Sequence, residues 1–103
     1  MFLLSFLEDN ELTVVLPSKI DQHDAKECIA MIEFKLENYT PSVCVLDCHE
    51  ITFLDDSSVD VIRNVLHATE KQNCKLMVSR LQDQPMVVFM ESDVSKIVEI
   101  KKK

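Results

Sequence analysis

The sequence contains no glycine in its 103 residues, whereas glycine makes up about 7% of an average protein. Glycine is the residue that most easily adopts a left-handed backbone, with φ above zero, at tight turns and helix ends. Asparagine and aspartate tolerate this conformation next best. We therefore predict that left-handed positions fall on such residues, for which the sequence offers Asn10, Asn38, Asn73 and Asp93.

Basic residues are also scarce, since 11 lysines and arginines face 18 aspartates and glutamates, for a formal net charge of −7. Proteins that bind DNA or RNA depend on a basic surface that releases counterions from the phosphates. The one basic run is the tail at residues 101–103, which a solvated terminus explains. The composition therefore argues against a nucleic acid as a direct partner.

Long apolar runs are missing as well. No segment approaches the roughly 20 apolar residues that a membrane-spanning helix needs. The apolar stretch at residues 2–7 lacks the basic residues of an export signal and is followed at once by Glu8 and Asp9. We therefore expect a cytoplasmic protein with no membrane partner.

The sequence has no CxxC pair, and its four cysteines lie within apolar patterns at Cys28, Cys44, Cys48 and Cys74. Without an export signal, this pattern favours buried free thiols over disulfide bonds. A zinc site at Cys44, Cys48 and His49 is a weaker alternative, because no second pair of ligands is evident. We expect no metal and no cofactor.

A chain of this length holds one core, so we assign residues 1–103 to a single domain. Apolar runs predict strands at residues 2–7, 11–16, 43–46, 76–78 and 97–100. Helical spacing predicts one helix after Asp21 or Asp24, a second from Ser57 to about Gln72, and a third whose first turn holds Pro85.

The predicted order is β-β-α-β-α-β-α-β, which is typical of an α/β domain. We expect a mixed, mostly parallel sheet of about five strands, covered by about three to four helices. The run at residues 43–46 is almost wholly apolar, which is typical of a strand covered by helices on both faces.

The change from strand to helix is sharpest at residues 51–62, which read ITFLDDSSVDVI. An apolar, strand-like run meets two acids and two serines there and then passes into the second helix. Aspartate and serine are preferred N-cap residues, and the free amides of a helix start can also receive a phosphate. The residues alone predict a capped helix start, with or without a role in phosphate chemistry.

Residues 51–62 resemble, without a gap, the LTFhDSSGLxVL motif of the STAS domain in bacterial anti-sigma factor antagonists. Asp55 aligns with the family's aspartate and Asp56 with its first serine. Ser57 aligns with the second serine, which the family's anti-sigma kinase phosphorylates, and Ser58 with the glycine that follows. Further similarity is found at Ile20, Asp21, Ala25 and Glu27, at residues 45–47 and at residues 89–100.

The resemblance implies a non-enzymatic regulator that binds an anti-sigma factor with serine kinase activity and thereby releases a sigma factor. Ser57 would accept a phosphoryl group from that kinase, and the added charge would end the interaction. Asp21, Asp55, Asp56 and Ser58 would contact the partner. The resemblance also leaves room for a phosphoserine phosphatase that restores the active form.

Four residues depart from the family's pattern: Asp56 replaces a serine, Ser58 a glycine, Asp60 a small residue and Asp93 another glycine. The added carboxylates raise the negative potential that an incoming ATP phosphate meets. A second interpretation therefore stays open, a non-phosphorylated STAS interaction module in a lipid-transport or stress-sensing assembly.

An enzyme is a third interpretation, with Asp55, Asp56, Ser57 and His49 as a hydrolytic site. Hydrolases that place a serine between a strand and a helix use a glycine-containing nucleophile elbow. This sequence has none, so we favour a protein without a catalytic site.

Overall fold

The computed structural model describes residues 2–102, which form five strands, three α-helices and one 3-10 helix. The chain runs in the order β1 (Ser5–Glu8), β2 (Glu11–Val15), α1 (Gln22–Tyr39), β3 (Val43–Asp47), α2 (Asp56–Lys71), β4 (Lys75–Ser79), α3 (Asp83–Glu91), the 3-10 helix (Asp93–Lys96) and β5 (Glu99–Lys101). The predicted α/β class and element order are confirmed.

The five strands form one sheet in the order β1-β2-β3-β4-β5. The β1 strand pairs with β2 in antiparallel fashion, and the three remaining pairs are parallel. Right-handed crossovers through a helix are the usual way to connect such parallel neighbours. The predicted mixed, mostly parallel sheet is therefore confirmed, and the carboxyl ends of β2, β3, β4 and β5 meet at one edge.

Each of the three α-helices buries apolar residues in one core, on one face of the sheet. That core contains alternate strand residues together with the buried residues of α1, α2 and α3; its strand members include Leu12, Val14, Cys44, Leu46, Leu76 and Val78. Val15 and Val45 are also buried but lie outside this cluster, because neighbouring residues of a strand point to opposite faces.

The prediction that helices cover β3 on both faces was wrong. In the described part of the chain, strand residues and the segments that follow β4 and β5 line the cleft over Val45. Lys101 crosses this face and donates to Glu11 at 2.5 Å, so that aliphatic stems shield Val45, which is 2% exposed. An apolar strand was thus buried without a second layer of helices.

The four cysteines are buried and unpaired, as predicted. Burial raises the pKa of Cys28 to about 11 and the pKa of Cys44 and Cys48 to about 12. These thiols stay protonated at neutral pH and act as small apolar side chains. Within residues 2–102, no helix is both long and apolar enough to cross a membrane.

Five residues other than glycine have a positive φ: Asp9, Asn10, Thr40, Asn73 and Arg80. Asn10 and Asn73 confirm the prediction made from the missing glycine. Asn38 and Asp93 were wrong, since Asn38 lies inside α1 and Asp93 opens the 3-10 helix. The prediction failed at these positions because a residue's preference for positive φ does not decide where the backbone needs it. The helix end at Thr40 and the segment after β4 at Arg80 need it instead.

Thr40 shows that conflict clearly, because a β-branched residue occupies the left-handed end of α1 with φ 40 and ψ 55. Its N–H donates to the carbonyl of Leu36 at 2.9 Å, which closes the last helical turn. Glycine is the usual residue at such a helix end because it has no Cβ to clash with the backbone.

Thr40→Gly should therefore raise the free energy of unfolding by about 0.5–1 kcal/mol, the strain of a left-handed residue less the added chain entropy. Urea denaturation of both proteins measures the change. Thr52→Gly is the matched control, since Thr52 is equally exposed but is not among the residues with positive φ. The control should lose stability, and a Thr40→Gly protein that loses as much would contradict the account.

Candidate functional site

The segment between β3 and α2 is an anchored loop. Ile51 and Leu54 are each 1% exposed and fix it to the core, whereas Phe53 is 65% exposed. The interpretation of this apolar run as strand-like was wrong, since residues 48–54 form no strand. Two buried anchors with an exposed aromatic between them give a loop that is held in place and still presents a side chain outward.

Helix α2 begins where the sequence predicted a capped start. The N-cap Asp55 accepts two hydrogen bonds at Oδ1, from the N–H of Ser58 at 3.0 Å and from its hydroxyl at 3.1 Å. The side-chain cap satisfies one of the amides that have no partner inside the helix. Asp56 is the first helical residue and is exposed, where its charge is favoured by the helix dipole.

The two serines of the motif have different surroundings. Ser58 is 5% exposed, and its hydroxyl is bonded to Asp55. Ser57 is half-buried and lines a groove between α1 and α2. A reagent from outside the protein therefore meets the hydroxyl of Ser57 more easily than that of Ser58.

A second cavity, of about 410 Å³, lies on the other side of the helix start. Asp21, Asp55 and Ser58 all line it, so the structure brings these three predicted site residues together. Asp21 is also the N-cap of α1 and accepts from the N–H of Asp24 at 2.8 Å. Ser57 belongs to the neighbouring groove instead. The cleft between the loops before α1 and α2 is called the cap cleft below.

The cap cleft combines acidic and apolar surface. Glu50, Asp21 and Asp55 contribute carboxylates, and Lys19 contributes a cation. The exposed ring of Phe53 lies at the same cleft. Such a mixture suits a protein surface that carries cationic and apolar side chains.

Sequence reasoning missed a polar cluster at the end of β3. Asp47, whose side chain is 4% exposed, accepts at Oδ1 from Arg80 Nε at 3.1 Å, and Arg80 also donates to Oδ2. His49 adds its N–H at 3.1 Å and Nδ1 at 3.0 Å from Oδ1. The signal was available, because Asp47 ends one parallel strand and Arg80 follows the next, and such ends meet at one edge of the sheet.

These hydrogen bonds decide the charge of Asp47. Burial by itself raises the pKa of this carboxyl group, but the bonds from Arg80 and His49 outweigh burial and lower the pKa below its ordinary value. Asp47 is therefore an anion at neutral pH. Arg80 reaches it from a left-handed backbone with φ 56, a strained position for a residue with a side chain.

Two glutamines after Arg80 hold the loop by its backbone. Gln82 donates to the carbonyl of His49 at 2.8 Å. Gln84 accepts from the N–H of Leu54 at 2.8 Å and donates to the carbonyl of the same residue at 3.3 Å. The residues that precede Asp55 are therefore fixed from the β4–α3 side, which sets the direction in which α2 starts.

Two of the acidic departures from the family's pattern are paired. Arg63 donates to Asp60, three residues earlier in α2, and to Asp93 of the 3-10 helix, the latter at 2.7 Å. The hydrogen bond from Arg63 lowers the pKa of Asp93. The bond from Arg63 to Asp93 ties α2 to the 3-10 helix. Arg63 also partly neutralises the charges of Asp60 and Asp93.

No hydrogen bond among the described residues joins His49 to Ser57, which a hydrolytic pair requires. The ring nitrogens of His49 lie instead near Asp47, Arg80 and Glu50. Within residues 2–102, no three side chains of histidine, cysteine, aspartate or glutamate are grouped to hold a metal ion. Cys44 and Cys48, the zinc ligands considered above, are buried in the core.

Asp47→Asn should lower the free energy of unfolding at pH 7 by about 1–3 kcal/mol, because charge-assisted hydrogen bonds to a buried group are lost. A carboxyl group whose pKa is lowered by folding contributes stability above its unfolded pKa of about 3.9, and that contribution disappears as the pH falls through the folded pKa. The gap between the two proteins should therefore narrow below about pH 4.

Urea denaturation at a series of pH values measures this gap. Asp9→Asn is the matched control, because Asp9 lies exposed in the hairpin turn at φ 51, which asparagine also tolerates. A gap for Asp47→Asn that stays constant down to pH 2 would contradict the role assigned to the charge.

Solved structures share this fold. An anti-sigma factor antagonist from Mycobacterium paratuberculosis has a TM-score of 0.81 and 15% identity, over 98% of this chain and 86% of that one. The Bacillus cell fate determinant SpoIIAA in its phosphorylated form has a TM-score of 0.72 and 13% identity, over 98% and 93%. The anti-sigma factor antagonist SpoIIAA in its unphosphorylated form gives 0.72 and 12%, over 99% and 90%.

No curated protein sequence gives a significant match to the chain. The family model described as the STAS domain, by contrast, matches residues 7–103, from the end of the first strand to the last residue. The sequence match covers the hairpin turn, β2, the anchored loop and the capped start of α2. The protein therefore belongs to the STAS domain family.

Proposed function

We propose that this protein is an anti-sigma factor antagonist that binds an anti-sigma factor with serine kinase activity, releases a sigma factor, and is switched off when the kinase phosphorylates Ser57. The observation that carries the proposal is the contrast between the two serines of the motif. Ser57 is the more accessible hydroxyl and stands at the second position of α2, whereas Ser58 is buried and bonded to Asp55.

A phosphoacceptor needs little chemistry of its own. In kinases, the enzyme supplies the metal ions, the phosphate contacts and the group that accepts the hydroxyl proton. The acceptor must present a hydroxyl in a fixed position. The two hydrogen bonds between Gln84 and the backbone of Leu54 support this, because they fix the residues that lead into α2. This view assigns no catalytic role to the chain, in agreement with the contacts that His49 makes.

The cap cleft is the surface that we assign to the partner. Asp21, Asp55 and Ser58 line it, and Phe53 gives it an exposed aromatic side chain. Asp56 stands beside it in the first turn of α2. Aromatic anchors with charged neighbours are typical of protein interfaces, and the acidic charge favours a basic partner surface.

Phosphorylation of Ser57 would change the charge at the edge of this surface. A phosphoserine carries about −1.5 to −2 charges at neutral pH. Added to the carboxylates of Asp55 and Asp56, this charge would raise the negative potential at the edge of the cap cleft and repel the phosphates of the nucleotide that the kinase holds. A phosphoserine phosphatase would then restore the binding form. Because ATP and sigma factors are cytoplasmic, the proposal assigns the protein to the cytoplasm.

One observation favours a second function, a STAS interaction module that is not phosphorylated. Asp56 precedes Ser57 directly and is exposed, so a fixed carboxylate stands where the family's motif has a serine. A permanent negative charge there could take the place of a regulated one. The two functions differ in whether the protein gains a phosphate.

Incubation of the purified protein with ATP and each anti-sigma serine kinase of its own organism should add one phosphate, at Ser57. Intact-mass measurement followed by peptide fragmentation counts and places it. Ser58→Ala is the matched control, because Asp55 keeps its bond to the N–H at position 58 and the helix cap survives.

The control should still accept one phosphate, and Ser57→Ala should accept none. Phosphate on Ser57→Ala at position 58 would overturn the choice of acceptor. No phosphate on the unaltered protein with any of these kinases would overturn the switch and leave the interaction module.

A further inference from the structure

We propose that Lys26 and Gln22 of α1 hold the phosphate of phosphorylated Ser57 in the groove between α1 and α2, an inference that rests on Ser57 being the phosphoacceptor. The groove has a volume of about 280 Å³. It is lined by Gln22, Ala25, Lys26 and Ile29 of α1 and by Ser57, Asp60 and Asn64 of α2. A water molecule takes up about 30 Å³, so a phosphate group fits beside the helices.

Among the described residues, Lys26 is the one cationic side chain that lines this groove. It is exposed and makes no ion pair with any residue in the described range 2–102. Gln22 precedes it by four residues, so both project from the same face of α1. Lys26 and Gln22 therefore line, from α1, the same groove that Ser57 lines from α2.

The polar side chains that α2 contributes to the groove beside Ser57 already have partners. Asp60, which lines the groove as well, is paired with Arg63. The side-chain amide of Asn64 donates to the carbonyl of Asp60 at 2.8 Å. A new anion at Ser57 would therefore find a cation without an ion pair on α1 and a partly neutralised carboxylate on α2.

The start of α2 adds a second attraction. Ser57 is the second residue of the helix, where backbone N–H groups have no partner inside the helix and the dipole favours an anion. These amides would bind a phosphate at the start of any helix. Lys26 adds a direction, because it lines the groove and not the cap cleft and would therefore draw the phosphate toward α1.

A phosphate held in this way becomes a bridge between α1 and α2. The switched-off form then keeps its fold, since Lys26 and Gln22 hold the phosphate, while one lysine offsets only part of its charge and the remainder still opposes the partner. Its stability depends on Lys26, which does not line the cap cleft and belongs to α1, the helix that Asp21 caps. The phosphorylated state would thus be stabilised by a residue outside the signature motif.

The test places phosphoserine at position 57 by genetic encoding, so that no kinase is needed. Phosphorus NMR then follows the second ionisation of the phosphate as the pH is raised. Because a nearby cation favours the dianion, Lys26→Gln should raise the phosphate pKa by about half a unit, and Gln22→Ala by less. Lys26→Arg should restore the value.

Lys71→Gln is the matched control, since Lys71 is an exposed lysine at the far end of α2 and should leave the titration unchanged. Circular dichroism confirms that each variant is folded. Equal phosphate pKa values in the unaltered chain and in Lys26→Gln would overturn the inference. A kinase that fails to modify Ser57 would overturn the proposed function and leave this titration as it is, so the two failures can be told apart.

Discussion

The ion pair between Asp47 and Arg80 fixes the corner of the fold on which the candidate site depends. It joins the ends of β3 and β4, and the glutamines that follow Arg80 hold the backbone of the loop before Asp55. Asp55 then caps α2 and draws in Ser58, which leaves Ser57 as the accessible serine. The position of the Ser57 hydroxyl thus depends on the buried carboxylate of Asp47, at the end of β3.

Much of the fold could be predicted from the sequence, because apolar periodicity reports which faces of strands and helices are buried. Periodicity could not show that Val45 is shielded by Lys101 and Glu11 instead of a helix. A buried strand has the same apolar sequence pattern whether helices or long side chains cover it. Nor could residue preference find the left-handed backbone at Thr40 and Arg80. There, a helix end and a bidentate ion pair outweigh a local strain of about 1–2 kcal/mol.

The candidate site was predictable where the chemistry is local to the sequence. The N-cap role of an aspartate beside two serines follows from the motif itself. The resemblance to the family singled out Ser57, and the structure adds a physical reason by burying Ser58. The cluster around Asp47 and the groove with Lys26 were beyond prediction, because each joins residues from elements far apart in the chain.

We propose that a phosphate on Ser57 controls binding of the anti-sigma factor. Calorimetry tests it most directly, by titrating that partner into the unmodified protein and into protein with phosphoserine encoded at position 57. We expect the phosphate to raise the dissociation constant at least tenfold, which corresponds to a loss of about 1.4 kcal/mol or more of binding free energy. Equal dissociation constants for the two forms would contradict it.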